Sequence, residues 1–350
     1  MKVFFQGQTY SINDVSNLLL VAPNYDFLTN FIKNWTERQE LFSFQSSGST
    51  GNPKTIEIHR DQITASVKGT QKALDLREGD QVLLCLNPNY IASIMMAARA
   101  LILDLDLHII PASSTPLNQL KGSVDFASFV PFQIYEMIHN KQLDRLAQIR
   151  NVLIGGAPLN QEAQNALAKL PNNIYLTYGM TETVSHIALM KISGSQVSET
   201  YQCLPGIEIG LHDNDCLKIK GEVTMQQWLY TTDVVEMKSE TEFKWLGRAD
   251  HVINSGGVKI HPEQLEKSIA TLLTNQDYFI TGLPDDQLGQ SCTLIHTGSI
   301  SEQKLREIQS MIENQFSKHH IPRQAIQVAE FIKTESGKLN RKKTLELFSR

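Results

Sequence analysis

A chain of 350 residues, 41% hydrophobic and 20% charged, has the size and balance of a soluble enzyme able to bury one large core and one smaller one. A formal net charge of -5 gives no electrostatic case for nucleic acid or an anionic membrane as partner. The longest apolar stretch, around Ile91–Leu105, is interrupted by Arg99 and Asp104 and is too short and polar to span a bilayer. No cationic start leads into an apolar run and a cleavage site, so a cytoplasmic location is expected. In chain order, the first notable segment is apolar-leaning Leu41–Phe44, followed by Ser46-Ser47-Gly48-Ser49-Thr50-Gly51-Asn52-Pro53-Lys54. Its hydroxyls, glycines and lysine suit a polyphosphate, because glycine lets the backbone approach a ligand and the other groups donate hydrogen bonds. A plain polar turn has the same composition, and the spacing is not that of a Walker A loop. Further on, Val82–Leu86, Leu107–Ile110, Val152–Ile154 and Ile174–Thr177 are predicted strands, with helices over Ile91–Leu103 and Gln161–Leu170 between them. The alternation predicts an α/β layered domain with mostly buried strands.

A boundary is expected near Gly247–Arg248. Past it, Pro262–Leu273 is a predicted helix with proline in its first turn, and Tyr278–Gly282 and Cys292–His296 are predicted strands. Ser301 is placed to cap a helix that carries Leu305, Ile308, Ile312 and Phe316 on one face. The expected organisation is a large α/β domain over 1–247 and a small α+β domain over 248–350. Cys85, Cys203, Cys216 and Cys292 show no metal-like pairing and are expected to be buried thiols.

Five segments, in order, resemble those of the adenylate-forming superfamily of acyl-CoA synthetases, luciferases and peptide-synthetase adenylation domains. They are the Ser46–Lys54 loop; Tyr178-Gly179-Met180-Thr181-Glu182-Thr183; Tyr230-Thr231-Thr232-Asp233, where Thr232 replaces a glycine; Leu246-Gly247-Arg248-Ala249-Asp250 running through Ser255-Gly256-Gly257 to Glu266; and Gly337-Lys338-Leu339-Asn340-Arg341. The resemblance spans residues 46 to 341. Its one large departure from the family is that the phosphate loop begins at residue 46, so most of the usual first subdomain is expected to be missing or reduced.

The resemblance implies a reduced adenylate-forming domain, a mobile C-terminal lid, and a reaction in two halves. A carboxylate attacks the α-phosphate of ATP with Mg2+ present, and the thiol of coenzyme A then displaces AMP. It implies Lys338 as the catalytic cation, with Thr181 on phosphate and Glu182 as both a catalytic residue and the magnesium ligand. Ser46, Ser47, Gly48, Ser49, Thr50, Gly51 and Lys54 would bind the phosphates. Gly155, Gly156, Ala157, Tyr178 and Gly179 would flank adenine, and Asp233 and Arg248 would hold ribose. Asp250 would be the hinge, and Ser255, Gly256 and Gly257 the wall of the coenzyme A channel. Within the superfamily, Gly155–Leu159, Gly179–Ala188 and Asn89–Leu101 resemble most the ligases of o-succinylbenzoate in menaquinone biosynthesis. That acid carries two carboxylates, and Arg99, Ser185 and His186 are the candidates for the non-reacting one. A ligase for another aryl or acyl acid, an adenylation domain charging a carrier-protein thiol, and a non-catalytic nucleotide-binding module remain alternatives. No nucleic-acid or membrane partner is expected, and oligomeric state is not legible.

Overall fold

The computed structural model describes residues 1–11, 14, 23–45, 54–273, 276–333 and 339–347. Ser46, Ser47, Gly48, Ser49, Thr50, Gly51 and Lys338, all expected to act on ATP, lie outside the described residues. In chain order the described strands are β1 (Lys2–Phe5), β2 (Gln8–Ser11), β3 (Leu41–Gln45), β4 (Thr55–His59), β5 (Gln81–Leu84), β6 (Asp106–Ile109) and β7 (Phe126–Phe129). They continue with β8 (Asn151–Ile154), β9 (Asn173–Gly179), β10 (His186–Lys191), β11 (Tyr201–Cys203), β12 (Glu208–His212), β13 (Cys216–Lys220), β14 (Leu229–Ser239) and β15 (Glu242–Arg248). The last are β16 (Ile253–Ser255), β17 (Val258–Ile260), β18 (Tyr278–Asp285), β19 (Gly289–His296) and β20 (Gln324–Gln327).

The α/β expectation holds, and one 13-stranded sheet in the order β12-β13-β14-β15-β11-β10-β9-β8-β7-β5-β6-β1-β2 dominates. Strands β9, β8, β7, β5, β6 and β1 run parallel, while β10 through β12 extend the sheet antiparallel. The parallel strands are near-continuous apolar runs, as burial on both faces demands: Val82, Leu83, Leu84, Val152, Leu153 and Ile154 are all at most 3% exposed. One face is covered by helices Asp26–Thr36, Arg60–Leu74 and Ile91–Leu103, the other by helices Pro131–His139 and Gln161–Leu167. Helix Ile91–Leu103 has the predicted bounds, and its nine buried residues make it a core helix rather than a surface one. The predicted helix Gln161–Leu170 stops at Leu167.

The second sheet, of β16–β20, has its own core of Ile253, Ile260, Leu265, Ile269, Leu294, Ile308 and Ile312. Ser301 caps helix Glu302–Glu313 by accepting from the Lys304 amide, while Phe316 lies beyond the end of that helix. Helix Pro262–Ile269 is shorter than predicted and passes into a 3-10 turn over Ala270–Leu272. All four cysteines are free and buried. Among the described residues no helix is long and apolar enough to cross a membrane.

Candidate active site

The strand order reverses between β5 and β7: the chain leaves β5 toward β6 on one side and leaves β7 toward β8 on the other. In open α/β sheets the crevice outside the carboxyl ends of the strands at such a point is where ligands bind. Asn87–Tyr90 follows β5, Gly155–Pro158 follows β8, and Met180–Glu182 follows β9. Tyr90, within the Asn89–Leu101 segment, and Phe132, which sequence reasoning did not single out, are exposed aromatics at the ends following β5 and β7.

Two constellations form around β9. The first joins Arg99 to the adjacent pair Ser185 and His186, far from it in sequence, and adds Thr70. Arg99 is 2% exposed, and its Nη2 donates to Ser185 Oγ at 3.2 Å and to Thr70 Oγ1 at 3.4 Å. The guanidinium lies 5.9 Å from the Phe126 ring centroid. It pairs with no carboxylate among the described residues, its Nε finds no acceptor there, and burial pushes its pKa down to about 10. The hydrogen-bond directions follow from counting protons. Thr70 gives its single hydroxyl proton to Ser66 O at 3.0 Å, so it accepts from His186 Nε2 at 3.2 Å. His186 Nδ1 then accepts from Ser185 Oγ at 3.3 Å, which frees the serine lone pairs for Arg99. His186 is therefore a neutral Nε2–H tautomer, and its pKa is driven well below the usual value by burial first and by the Arg99 charge second.

The second constellation centres on Asp233 in β14. Tyr178 donates its hydroxyl to Asp233 Oδ2 at 2.7 Å and Trp245 Nε1 donates to Oδ1 at 3.2 Å. Both donors are neutral, so the carboxylate keeps its charge and spare lone pairs for further donors. Tyr178, expected beside adenine, is buried, with its ring 5.1 Å from Phe243 and 5.8 Å from Tyr201. Its hydroxyl pKa is raised by burial and by the Asp233 charge. Asp233 is the register partner of Arg248 on β15, and Arg248 grips Asp250 through Nε at 2.9 Å and Nη2 at 3.1 Å.

The remaining candidates take varied positions. A side chain at Gly155 would strike Thr177 Oγ1, and one at Gly179 would strike the Ser185–His186 backbone, which pairs with Gly179. Gly156 has φ +94 and is exposed with Ala157. Glu182 is exposed on the 3-10 turn Thr181–Thr183 and Lys54 is exposed just before β4. Ser255 pairs with Val258 across Gly256 and Gly257, whose φ values of +59 and +82 are those a tight hairpin needs. That turn meets His319 and Leu288 of the same small unit. No cluster of three or more His, Cys, Asp or Glu able to hold a metal occurs among the described residues. Glu182, a lone exposed carboxylate, fits a hard cation that keeps water and substrate phosphate as its other ligands.

A family model described as AMP-binding enzyme matches residues 30–226, more than half of the chain. The chain belongs to the AMP-binding enzyme family. The match spans the whole parallel half of the large sheet after β1 and the Arg99 constellation. Among solved structures, an acyl-CoA synthetase (AMP-forming)/AMP-acid ligase II-like protein from Dyadobacter fermentans is 36% identical, with TM-score 0.64, covering 93% of this chain and 94% of its own. An O-succinylbenzoate coenzyme A synthetase from Bacillus subtilis, solved with ATP and magnesium ion, shares the fold at TM-score 0.74 and 20% identity, over 87% of this chain and 69% of that one. A 2-succinylbenzoate–CoA ligase of Bacillus cereus is 24% identical over 93% of this chain and 75% of its own length.

Proposed function

We propose that this AMP-binding enzyme is an ATP-dependent acid–CoA ligase whose acid is o-succinylbenzoate. The observation that carries the substrate reading is Arg99: a buried guanidinium without a carboxylate partner among the described residues, beside hydroxyls and a neutral histidine. A buried charge without a counter-charge is costly, and an anionic group of the ligand would relieve that cost. The likeness to succinylbenzoate ligases supports the same acid.

In this reading a carboxylate oxygen of the acid attacks the α-phosphorus, the bond to the bridging oxygen breaks, and pyrophosphate leaves. The coenzyme A sulfur then attacks the acyl carbonyl and AMP leaves with the electron pair. The second carboxylate sits at Arg99, Ser185 and His186. Asp233 accepts from ribose hydroxyls with Arg248 beside it, and Gly155–Ala157 and Gly179 line the adenine side. Lys54 and the Ser46–Gly51 run bind phosphate, as does Thr181. Glu182 holds Mg2+, which supplies charge neutralisation at the phosphates. Residues 1–247 bind ATP and acid, and 248–350 form a lid turning at Asp250, with Ser255, Gly256 and Gly257 toward the thiol arm. In support, the large sheet takes its last strand at Arg248 and the small sheet begins at Ile253. Lys338 bridges carboxylate and α-phosphate, so Lys338→Ala should lose roughly two orders of magnitude or more in adenylation, the scale of one electrostatic stabiliser.

Mass spectrometry of reactions with ATP, magnesium and coenzyme A tests the reading, with o-succinylbenzoate beside benzoate and medium-chain fatty acids. A thioester of o-succinylbenzoate alone is expected. Thioesters from the controls alone would remove the substrate assignment and keep the chemistry. No adenylate from any acid would remove both.

A further inference from the structure

The segment joining the two candidate subsites contains an unusual backbone conformation. Val184 has φ 67 and ψ -53, and the Ser185 amide donates to Thr183 O at 2.7 Å. This is a three-residue γ-turn of the rare, strained hand, and a β-branched residue is the type least suited to it. Such strain persists only where the surroundings over-determine it, and here they do. Val184 is fully buried, and its amide donates to Thr181 O at 2.9 Å. Thr183, also fully buried, uses its hydroxyl to accept from the Met180 amide at 3.0 Å. The hydroxyl proton reaches Met180 O at 3.0 Å and Ser185 O at 2.8 Å. Thr183 and Val184 therefore reverse the chain between exposed Glu182 and the Ser185–His186 pair, whose serine accepts from Arg99.

We propose that Thr183 and Val184 are positioning residues: the locked γ-turn holds the Glu182 carboxylate in fixed register with the acid-binding Ser185–His186 pair. Seating the remote end of the acid then presents its reacting carboxylate to the phosphate that Glu182 serves. Neither residue touches substrate. The inference rests on the ligase reading above and adds how its two subsites are aligned.

The test is ATP–pyrophosphate exchange with o-succinylbenzoate, using Thr183→Val, Thr183→Ser, Glu182→Gln and the Thr183→Val/Glu182→Gln pair. Displacement of reacting groups by about 1 Å can cost roughly a hundredfold in rate. Thr183→Val is therefore expected to lower kcat by roughly 30- to 100-fold, with KM for ATP and acid within about threefold. Thr183→Ser, which keeps the hydroxyl, should stay within about threefold of wild type. In the Glu182→Gln background the Thr183→Val loss should vanish, because residues acting through one another are not additive. Additive losses, a change confined to the KM of the acid, or equal damage from serine and valine would overturn the proposal. If Thr183→Val does not fold, Val184→Gly takes its place: glycine adopts this φ freely and loosens the turn, so the same kcat loss is expected and an unchanged kcat overturns the proposal. An active wild type with an unaffected Thr183→Val removes this inference alone; a wild type that adenylates no acid removes the ligase reading with it.

Discussion

The Arg99 and Asp233 constellations both border β9 and handle charge in opposite ways. Arg99 is a buried cation, hydrogen-bonded to two hydroxyls that also contact a neutral histidine, with no counter-charge among the described residues. Asp233 is a half-buried anion held by two neutral donors and one strand away from Arg248. The first has an unmet electrostatic need and the second a met one with capacity to spare. On the ligase reading proposed above, a ligand that arrives with charge would answer the unmet need, whereas the Asp233 carboxylate already has donors in place.

Four measurements would break or sharpen that contrast. The largest expected effect belongs to Arg99→Met. Loss of one partner from a buried, hydrogen-bonded charge pair costs about 2–5 kcal/mol, so KM for the acid should rise by roughly 30-fold or more while KM for ATP hardly moves. The thermal midpoint of the ligand-free protein should stay level or rise, because the desolvated charge is gone. A fall in both acid and ATP affinity would mean Arg99 is structural. Next, Asp233→Asn should weaken ATP by about 1.5–3 kcal/mol, the scale of a hydrogen bond to a charged group, and leave acid affinity alone. Titration calorimetry with ATP reads it directly.

The third effect is a pH dependence. The folded-state pKa of His186 lies below its ordinary 6.5, so the unfolded chain binds the extra proton first. The stability His186 contributes is full above pH 6.5 and is lost as pH falls from there toward the depressed folded value. The slope is at most about 1.4 kcal/mol per pH unit, and His186→Gln should remove it when urea midpoints are compared across pH. An identical slope in the variant would show that His186 is not held neutral. The smallest effect is Tyr178→Phe, which deletes one of two donors to Asp233 and should cost about 0.5–1.5 kcal/mol in ATP affinity. A loss as large as that of Asp233→Asn would mean the tyrosine does more than orient the carboxylate.

The parallel half of the sheet was legible because its strands are unbroken apolar runs separated by helical periods, so Ile91–Leu103 and Val152–Ile154 could be drawn to within a residue. The antiparallel half was not. Strands β10 to β15 are mixed in polarity and their partners are distant: Tyr201 pairs with Phe243, a choice made by the tertiary fold. Local turn signals were there to use, since Asn214 and Asp215 take φ +57 and +59 between β12 and β13. Arg99, Ser185 and His186 were picked out by resemblance, and the structure brings them together. Thr70 and Trp245 had no sequence signal, because a helical threonine and a strand tryptophan acquire meaning only from what the fold sets opposite them.

The pairing of Asp233 with Arg248 on neighbouring strands has one mechanical consequence. In a rigid body that swings, displacement grows with distance from the pivot, as an oar is almost still at the rowlock while its blade travels. If the segment after Arg248 turns as proposed, a sugar resting on Asp233 lies at the rowlock. It would keep its seat through the stroke, while residues far out on β18 to β20 exchange places around the reacting phosphorus, and one bound nucleotide would serve both halves of the reaction.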